Sequence, residues 1–303
     1  MTHETYLAEE AGERIDKYLS LNTELSRSRI QELIKQGFVL VNGTKIKSSY
    51  QLNLNDRIDM DIPENQPVEI RPEDIPLDIL YEDSDVIVIN KPKGMIVHPA
   101  PGIYTGTLVN ALLYHCKDLS GINGVIRPGI VHRIDKDTTG CIVCCKNDRA
   151  HQSIAAQLAD KTCHREYRAI VKGIMEHDSG MIDAPIGRDP KDRQKMAITE
   201  VNSRHAVTRF KTLERYKDAS YIECALETGR THQIRVHMKY INHPVLGDLK
   251  YGTACSILDT HGQVLHACRL TFILPTTGKS MVFEAPLPAY FEELLEFERK
   301  ENA

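Results

Sequence analysis

Fourteen residues from Arg127 to Gly140, R-P-G-I-V-H-R-I-D-K-D-T-T-G, carry more charge than a connecting loop requires. Turn signals bracket them, Pro128-Gly129 in front and Thr138-Thr139-Gly140 behind. If His132 to Asp137 run extended, alternation puts Arg133, Asp135 and Asp137 on one side, with Ile134 and Lys136 on the other. A carboxylate beside an arginine stays ionised, which is the state a nucleophile needs. The competing reading is a solvated charged turn with no chemistry in it.

Other candidate clusters lack the spacing their chemistry demands. Cys141, Cys144 and Cys145 form C-x-x-C-C, but no second cysteine or histidine pair completes a zinc set, so core packing is the better reading. His232 and His237 are five apart and off a common helical face. Lys91 and His98 lie in a loop with no second histidine at ligand spacing and no Gly-Lys-Ser/Thr, so both read as structure flanking a site. No metal site is expected. D-K-D-T-T also fits the D-x-D-x-T pattern of Mg²⁺-dependent phosphatases. That pattern directly follows a buried strand, whereas V-H-R-I precedes it here. A calcium loop fails at its twelfth position, where Lys146 replaces the required glutamate.

The elements that must position these residues are partly legible. Leu77 to Tyr81 and Val86 to Ile89 are strand-length apolar runs, separated by the acidic turn Glu82 to Asp85. Thr107 to Cys116 has the spacing of an amphipathic helix, and Cys141 to Cys145 reads as a buried strand. Asp148 caps a helix running to about Asp160. His164 to Gly173 alternates as a strand, followed by strand-like runs at 206–210 and 221–226. Gly229 then ends a strand, Thr231 begins a helix, and Arg230 is held at the junction.

The first sixty residues read as a separate unit. Gly12 to Leu21 is helical in pattern, Ser26 opens a second helix through Gln36, and Gly37 stops it. Phe38 to Val41 runs into Asn42-Gly43, a hairpin turn signal. Pro63 to Pro76 contains four prolines and reads as a semi-rigid linker. The expected domains are therefore 1–62, a linker at 63–76, and 77–303.

A length of 303 residues fits one large and one small domain. The 41% hydrophobic and 26% charged residues are those of an ordinary globular protein. No apolar run spans a bilayer, and the N-terminus lacks a signal peptide's basic and apolar regions. The eight cysteines then read as reduced thiols in a cytoplasm. A net charge of −4 is weak evidence against a nucleic-acid partner, because local clusters such as Arg188, Lys191, Arg193 and Lys195 can make a positive face.

H-R-I-D-K-D-T-T-G resembles the H-R-L-D-x-x-T-S-G signature of the Rlu-type pseudouridine synthases, which isomerise uridine to pseudouridine in ribosomal RNA. Asn90 to Gly102 is similar to their N-K-P-x-G-x-x-V-H-P motif, and His164 to Gly173 to K-x-Y-x-A-x-V-x-G. Glu227 to Met238 (E-T-G-R-T-H-Q-I-R-V-H-M) resembles T-G-R-x-H-Q-I-R-x-H. Segments at 246–252, 265–272 and 283–288 also look like family segments, so the likeness covers nearly the whole chain. R-I-D-K-Y-L, S-R-S-R-I-Q-E-L-I-K-Q-G and V-L-V-N-G resemble the small RNA-binding domain first seen in the fourth protein of the small ribosomal subunit.

The resemblance implies an α+β catalytic domain, built on a large, mostly antiparallel mixed sheet with flanking helices, plus the small N-terminal α/β RNA-binding domain. It implies Asp135 as the catalytic aspartate, paired with Arg230. Tyr167, which alone would read as core with a tethered hydroxyl, becomes the active-site tyrosine, able to stack on uracil and relay a proton. Arg133 becomes the helper in extruding the target nucleotide, at a cost of a few kcal/mol. Arg27, Arg29, Lys35, Lys45 and Lys47 become candidate phosphate contacts of the small domain, and Arg188, Lys191, Arg193 and Lys195 those of a basic loop. The isomerisation oxidises and phosphorylates nothing, so no cofactor is expected. The expected partner is large-subunit (23S) ribosomal RNA, met by a monomer. A non-catalytic RNA-binding or ribosome-assembly factor is the alternative, with the aspartyl phosphatase a weaker one.

Overall fold

The structure, a computed structural model, describes residues 1–63, 70–100, 102–122, 124 and 127–301. It forms two compact units, 1–68 and 69–303. In the first, β1 (Thr2–Leu7), β2 (Val39–Val41), β3 (Thr44–Lys45) and β4 (Arg57–Ile62) make an antiparallel sheet of order β1-β4-β2-β3. Two helices, α1 (Ile15–Asn22) and α2 (Arg27–Gln36), cover it through Ile15, Leu19, Ile30 and Leu33, all fully buried. Ser26 caps α2 by accepting the Arg29 amide proton, and Gly37 closes it at φ +83°, where a side chain would be strained. β1 was not foreseen. Its residues stay exposed or half-buried along its whole length, so it lacks the apolar alternation that marks a strand.

The second unit begins earlier than the proline-rich stretch suggested. Residues 64–69 of the expected linker lie outside the described residues. From Ile70 onward the chain is packed on the larger unit: Ile70 is buried in its core, Asn110 Nδ2 donates to the Arg71 carbonyl at 2.8 Å, and Glu73 N donates to the Asn110 carbonyl at 3.0 Å. Prolines remove donors without preventing burial, and here they hold an extended segment against a surface.

Among the described residues, this unit's main sheet has nine strands. They are β5 (Ile79–Glu82), β6 (Val86–Lys91), β7 (Thr139–Cys145), β8 (His164–Lys172), β9 (Ser179–Asp183), β12 (Val207–Arg215), β13 (Ala219–Leu226), β14 (Leu265–Ile273) and β15 (Ser280–Glu284). The order is β5-β6-β7-β14-β8-β13-β12-β9, with β15 on β14, and only β7 and β14 run parallel. A separate hairpin, β10 (Ile186–Arg188) and β11 (Met196–Ile198), stands beside it. Among the described residues, four helices complete the unit: α3 (Leu108–His115), α4 (Asp148–Ala159), α5 (Gln233–Tyr240) and α6 (Ala289–Glu301). None of the helices described is long and apolar enough to cross a membrane.

β7 is buried along its full length, which explains its unbroken apolar run. Ile142 and Cys144 face the cluster containing α3 and α5, while Cys141, Val143 and Cys145 face the one containing α4. The cysteines are free and act as small core side chains. Asn147, not Asp148, caps α4, accepting the Ala150 amide proton at 2.9 Å; Asp148 instead accepts from Ser120 Oγ at 2.7 Å. In β8, Tyr167, Ala169 and Val171 point to the α5 side, whereas Ile170 packs with Phe291 and Leu294 of α6.

The parallel junction fixes the exit of the Asp135 loop. β14 meets β7 only at His266 and Ala267, then turns to pair with β15. At this fork Gly140 has φ +105°, and a Cβ there would collide with the Ala267 carbonyl. Gly140→Ala should therefore destabilise the protein by about 3 kcal/mol. Gly106→Ala, also at positive φ but in open space, should cost only about 1 kcal/mol. Urea denaturation checks this, and equal losses would contradict the packing described.

Candidate active site

Asp135 stands in the loop that enters β7, and the chain does not run extended through it. Thr138 N donates back to the Asp135 carbonyl at 3.1 Å, making a turn that takes Asp137 off the line of Arg133 and Asp135. His132 anchors the loop by accepting the Val143 amide proton at Nε2, 3.1 Å away, and burial pushes its pKa down to about 3. Lys91 anchors it from the other side. Fully buried, it donates to the carbonyls of Pro92 (2.8 Å), Met95 (2.9 Å) and Lys136 (2.9 Å). Burial pushes Lys91 down to about 7, yet three carbonyls at donor distance match the three protons of an ammonium. A neutral amine would leave one of them without a proton, so the charged form is the one this geometry holds. Lys91 thus reads as structure beneath the site, as its loop suggested.

The loop opens into a cleft of about 650 Å³. Among the described residues, its lining includes six arginines (127, 133, 165, 204, 230 and 235) and one carboxylate, Asp135. A chain of net charge −4 thus builds a strongly positive groove with one anion in it. Tyr167 lines the same wall, buried, and its hydroxyl has no hydrogen-bond partner among the described residues. Burial pushes that phenol up to about 12, so it is protonated near neutral pH. Arg133 is exposed at the rim, also without a partner among the described residues.

The guanidinium that Asp135 takes is not that of Arg230. Arg235 Nη1 donates to Asp135 Oδ2 at 2.7 Å, while its Nε and Nη2 donate to both oxygens of Asp248 at 2.6 and 2.9 Å. The Arg235 side chain is 8% exposed and that of Asp248 0%. Burial pulls Arg235 down, but Asp248 and Asp135 more than offset it, and its pKa stands above the ordinary arginine value. Arg230 sits on the turn ahead of α5 and donates its Nε to the His205 carbonyl at 2.9 Å. Gln233 holds that turn, accepting from Thr228 Oγ1 (2.7 Å) and Arg230 N (2.9 Å) and donating to the Val207 carbonyl (2.9 Å). The helix starts at Gln233 rather than Thr231, and its first turn carries Arg235 inward. The sequence alone does not separate the two arginines: packing buries Gln233 to Met238, and a polar residue in such a stretch needs a buried partner.

His232, at the N-cap of α5, was also missed. Its φ of +57° and ψ of 22° turn the ring toward the cleft, where Nε2 lies 4.0 Å from Asp135 Oδ1 and Nδ1 lies 2.7 Å from Tyr251 Oη. Burial pushes its pKa down to about 4, so the ring is neutral near neutral pH.

The other expected RNA contacts are spread out. Arg188, Lys191, Arg193 and Lys195 lie on the β10–β11 hairpin and its loop, where Arg188 donates to the Arg193 carbonyl at 3.1 Å. In the small unit, Arg27 is committed to the buried Asp16 (3.1 and 3.2 Å) and Arg29 to Glu32 (3.1 Å), whereas Lys35, Lys45 and Lys47 are exposed. The sequence gives no hint of the Asp16 pairing, which depends on helices α1 and α2 lying side by side.

Comparison with known proteins identifies the catalytic unit and the small one separately. Residues 85–240 match the RNA pseudouridylate synthase family, and residues 13–58 match the S4 domain. The chain is 55% identical over 293 residues to an uncharacterised RNA pseudouridine synthase of Bacillus subtilis, YlyB, covering 96% of each. It belongs to the RNA pseudouridine synthase family. The synthase is thus an isomerase acting on RNA, with an N-terminal S4 domain. It is also 48% identical to ribosomal large subunit pseudouridine synthase D of Zymomonas mobilis, covering 95% of this chain and 94% of that one. Human RNA pseudouridylate synthase domain containing 4 superposes with a TM-score of 0.57 at 26% identity, covering 73% of this chain and 92% of that one.

Arg235→Lys keeps the charge but cannot bridge two carboxylates in one plane. It should lower single-turnover tritium release from C5-tritiated uridine by about 100-fold. Arg230→Ala should cost less than about tenfold. The reverse order would restore Arg230 as the partner of the aspartate.

Proposed function

We propose that the synthase converts uridines of large-subunit ribosomal RNA to pseudouridine in the cytoplasm, with Asp135 as the catalytic carboxylate and no cofactor. The observation that carries this is a carboxylate, alone among the described residues lining a cleft of arginines, with one oxygen tied to Arg235 and the other facing the space. The ribosomal target is supported by the relatives named ribosomal large subunit pseudouridine synthase D.

The reaction breaks the bond from uracil N1 to ribose C1′, turns the base, joins C5 to C1′ and removes the C5 proton. A stacked base cannot turn, so the nucleotide leaves its helix first, at a cost of about a few kcal/mol. The arginines offset this by holding the phosphates on either side, and Arg133 at the rim reaches the gap left in the helix. Asp135 Oδ1 then acts on the extruded nucleotide while Arg235 keeps Oδ2 fixed. Tyr167 forms the wall against which the uracil ring stacks. Because burial keeps its phenol protonated, it can take the C5 proton only by passing its own onward, as a relay. Lys35, Lys45 and Lys47, with the basic β10–β11 loop, would bind RNA phosphates away from the reacting nucleotide.

The test is tritium release from transcribed large-subunit RNA carrying C5-tritiated uridine. Wild-type protein should release tritium without added metal. Asp135→Asn, isosteric and uncharged, should bind the RNA within about threefold of wild type and lose at least about 10³-fold in rate. Ordinary turnover by that variant would remove Asp135 from the role.

A further inference from the structure

The imidazole of His232 has its proton placed by its neighbours. Tyr251 Oη accepts the Met196 amide proton at 2.8 Å and lies 2.7 Å from His232 Nδ1. With that amide on its oxygen, the phenol's own proton is directed to Nδ1, which makes Nδ1 the acceptor and leaves the ring proton on Nε2. Nε2–H then points into the cleft beside Asp135 Oδ1, the oxygen that Arg235 leaves free, at 4.0 Å. That gap is too long for a direct hydrogen bond. It suits one atom between them, since an oxygen ~2.8 Å from each would subtend an angle of roughly 90°.

The intervening group must satisfy two opposite neighbours. It has to accept from an N–H and donate to a carboxylate oxygen, which accepts only. A carbonyl of uracil can do the first and would be repelled by the second. A hydroxyl does both. The left-handed backbone of His232, rare for a residue with a Cβ, is what turns the ring here rather than onto the helix amides, none of which it caps.

We infer that His232 and Asp135 together hold the 2′-hydroxyl of the target ribose, which makes His232 the residue that distinguishes ribo- from deoxyribonucleotide at the reacting position. The hydroxyl accepts from Nε2–H and donates to Oδ1, and this sets the sugar's rotation and brings C1′, the neighbouring carbon, against the carboxylate. Reading the 2′ position is how a protein separates RNA from DNA at one site. The ring is suited to this because burial keeps it neutral, with a single, fixed donor. The inference rests on Asp135 being the group that faces the extruded nucleotide.

The test uses the full-length protein and a stem-loop RNA containing a uridine that it converts, compared with the same RNA carrying 2′-deoxyuridine at that one position. Competition binding should show wild-type protein preferring the ribose form by about tenfold, the worth of one hydrogen bond to a charged partner. His232→Asn suits the left-handed position but is too short to reach, and should reduce the preference to less than about twofold. Tyr251→Phe, which keeps the ring and removes the hydroxyl that orients His232, should move the preference the same way. A wild-type protein that binds both RNAs equally overturns the inference whatever the variants do, and so does an undiminished preference in either variant. If wild-type protein converts no uridine at all, the functional reading fails instead, so the two failures are distinguishable.

Discussion

A largely buried guanidinium shared between two carboxylates is the interaction on which this site depends. Arg235 is held by both oxygens of Asp248 and offers its remaining edge to one oxygen of Asp135. Burying an arginine is costly unless its partners surround it, and removing one partner of such a pair costs about 3–5 kcal/mol. Asp248 meets that demand from the back, where it also accepts the amide protons of Lys250 (3.0 Å) and Tyr251 (3.1 Å). The front of the guanidinium can then orient Asp135 with little freedom left. This division of labour leaves one catalytic oxygen fixed and the other available.

The surrounding fold supplies the same rigidity by different means. Lys91 ends β6 and Lys93 lies on the loop after it, and both send their ammonium groups to main-chain carbonyls. Lys91 reaches the Lys136 carbonyl, one residue past Asp135, while Lys93 reaches the Thr260 carbonyl at 2.6 Å and lies 3.9 Å from the centre of the Tyr290 ring. Gly262 lets the chain pass against Asp137, where a Cβ would come within 2.7 Å of the aspartate's own. Lys91, Gly262 and Arg235, from three separate stretches of sequence, thus converge on Asp135, Lys136 and Asp137. The reactive side chain hangs from a loop, but that loop is braced like a core element.

The parts of this arrangement that were legible in the sequence are those encoded locally. H-R-I-D-K-D-T-T-G marked the loop, the alternation of His164 to Gly173 put Tyr167 in a strand, and Ser26 and Gly37 bounded a helix by cap chemistry alone. What escaped was set by long-range packing. Arg230 and Arg235 both follow Gly229 within one short segment, and only the way Gln233 pins the turn decides which faces outward. Arg27 looked like a phosphate ligand because Asp16, its partner, lies on another helix. β1 was invisible because it buries almost nothing, and residues 70–76 looked like a spacer because proline content says nothing about what a segment leans on.

Asp248 provides the sharpest test, because its side chain is fully buried behind Arg235 and holds that guanidinium through both of its oxygens. The measurement is the single-turnover rate of Asp248→Asn, alone and combined with Arg235→Met, with RNA affinity followed in parallel. If the shared guanidinium orients the catalytic carboxylate, Asp248→Asn should slow the chemical step by about 10- to 100-fold, leave RNA affinity nearly unchanged, and add almost nothing to the loss caused by Arg235→Met. A rate within twofold of wild type, or losses that simply multiply in the double variant, would contradict the account.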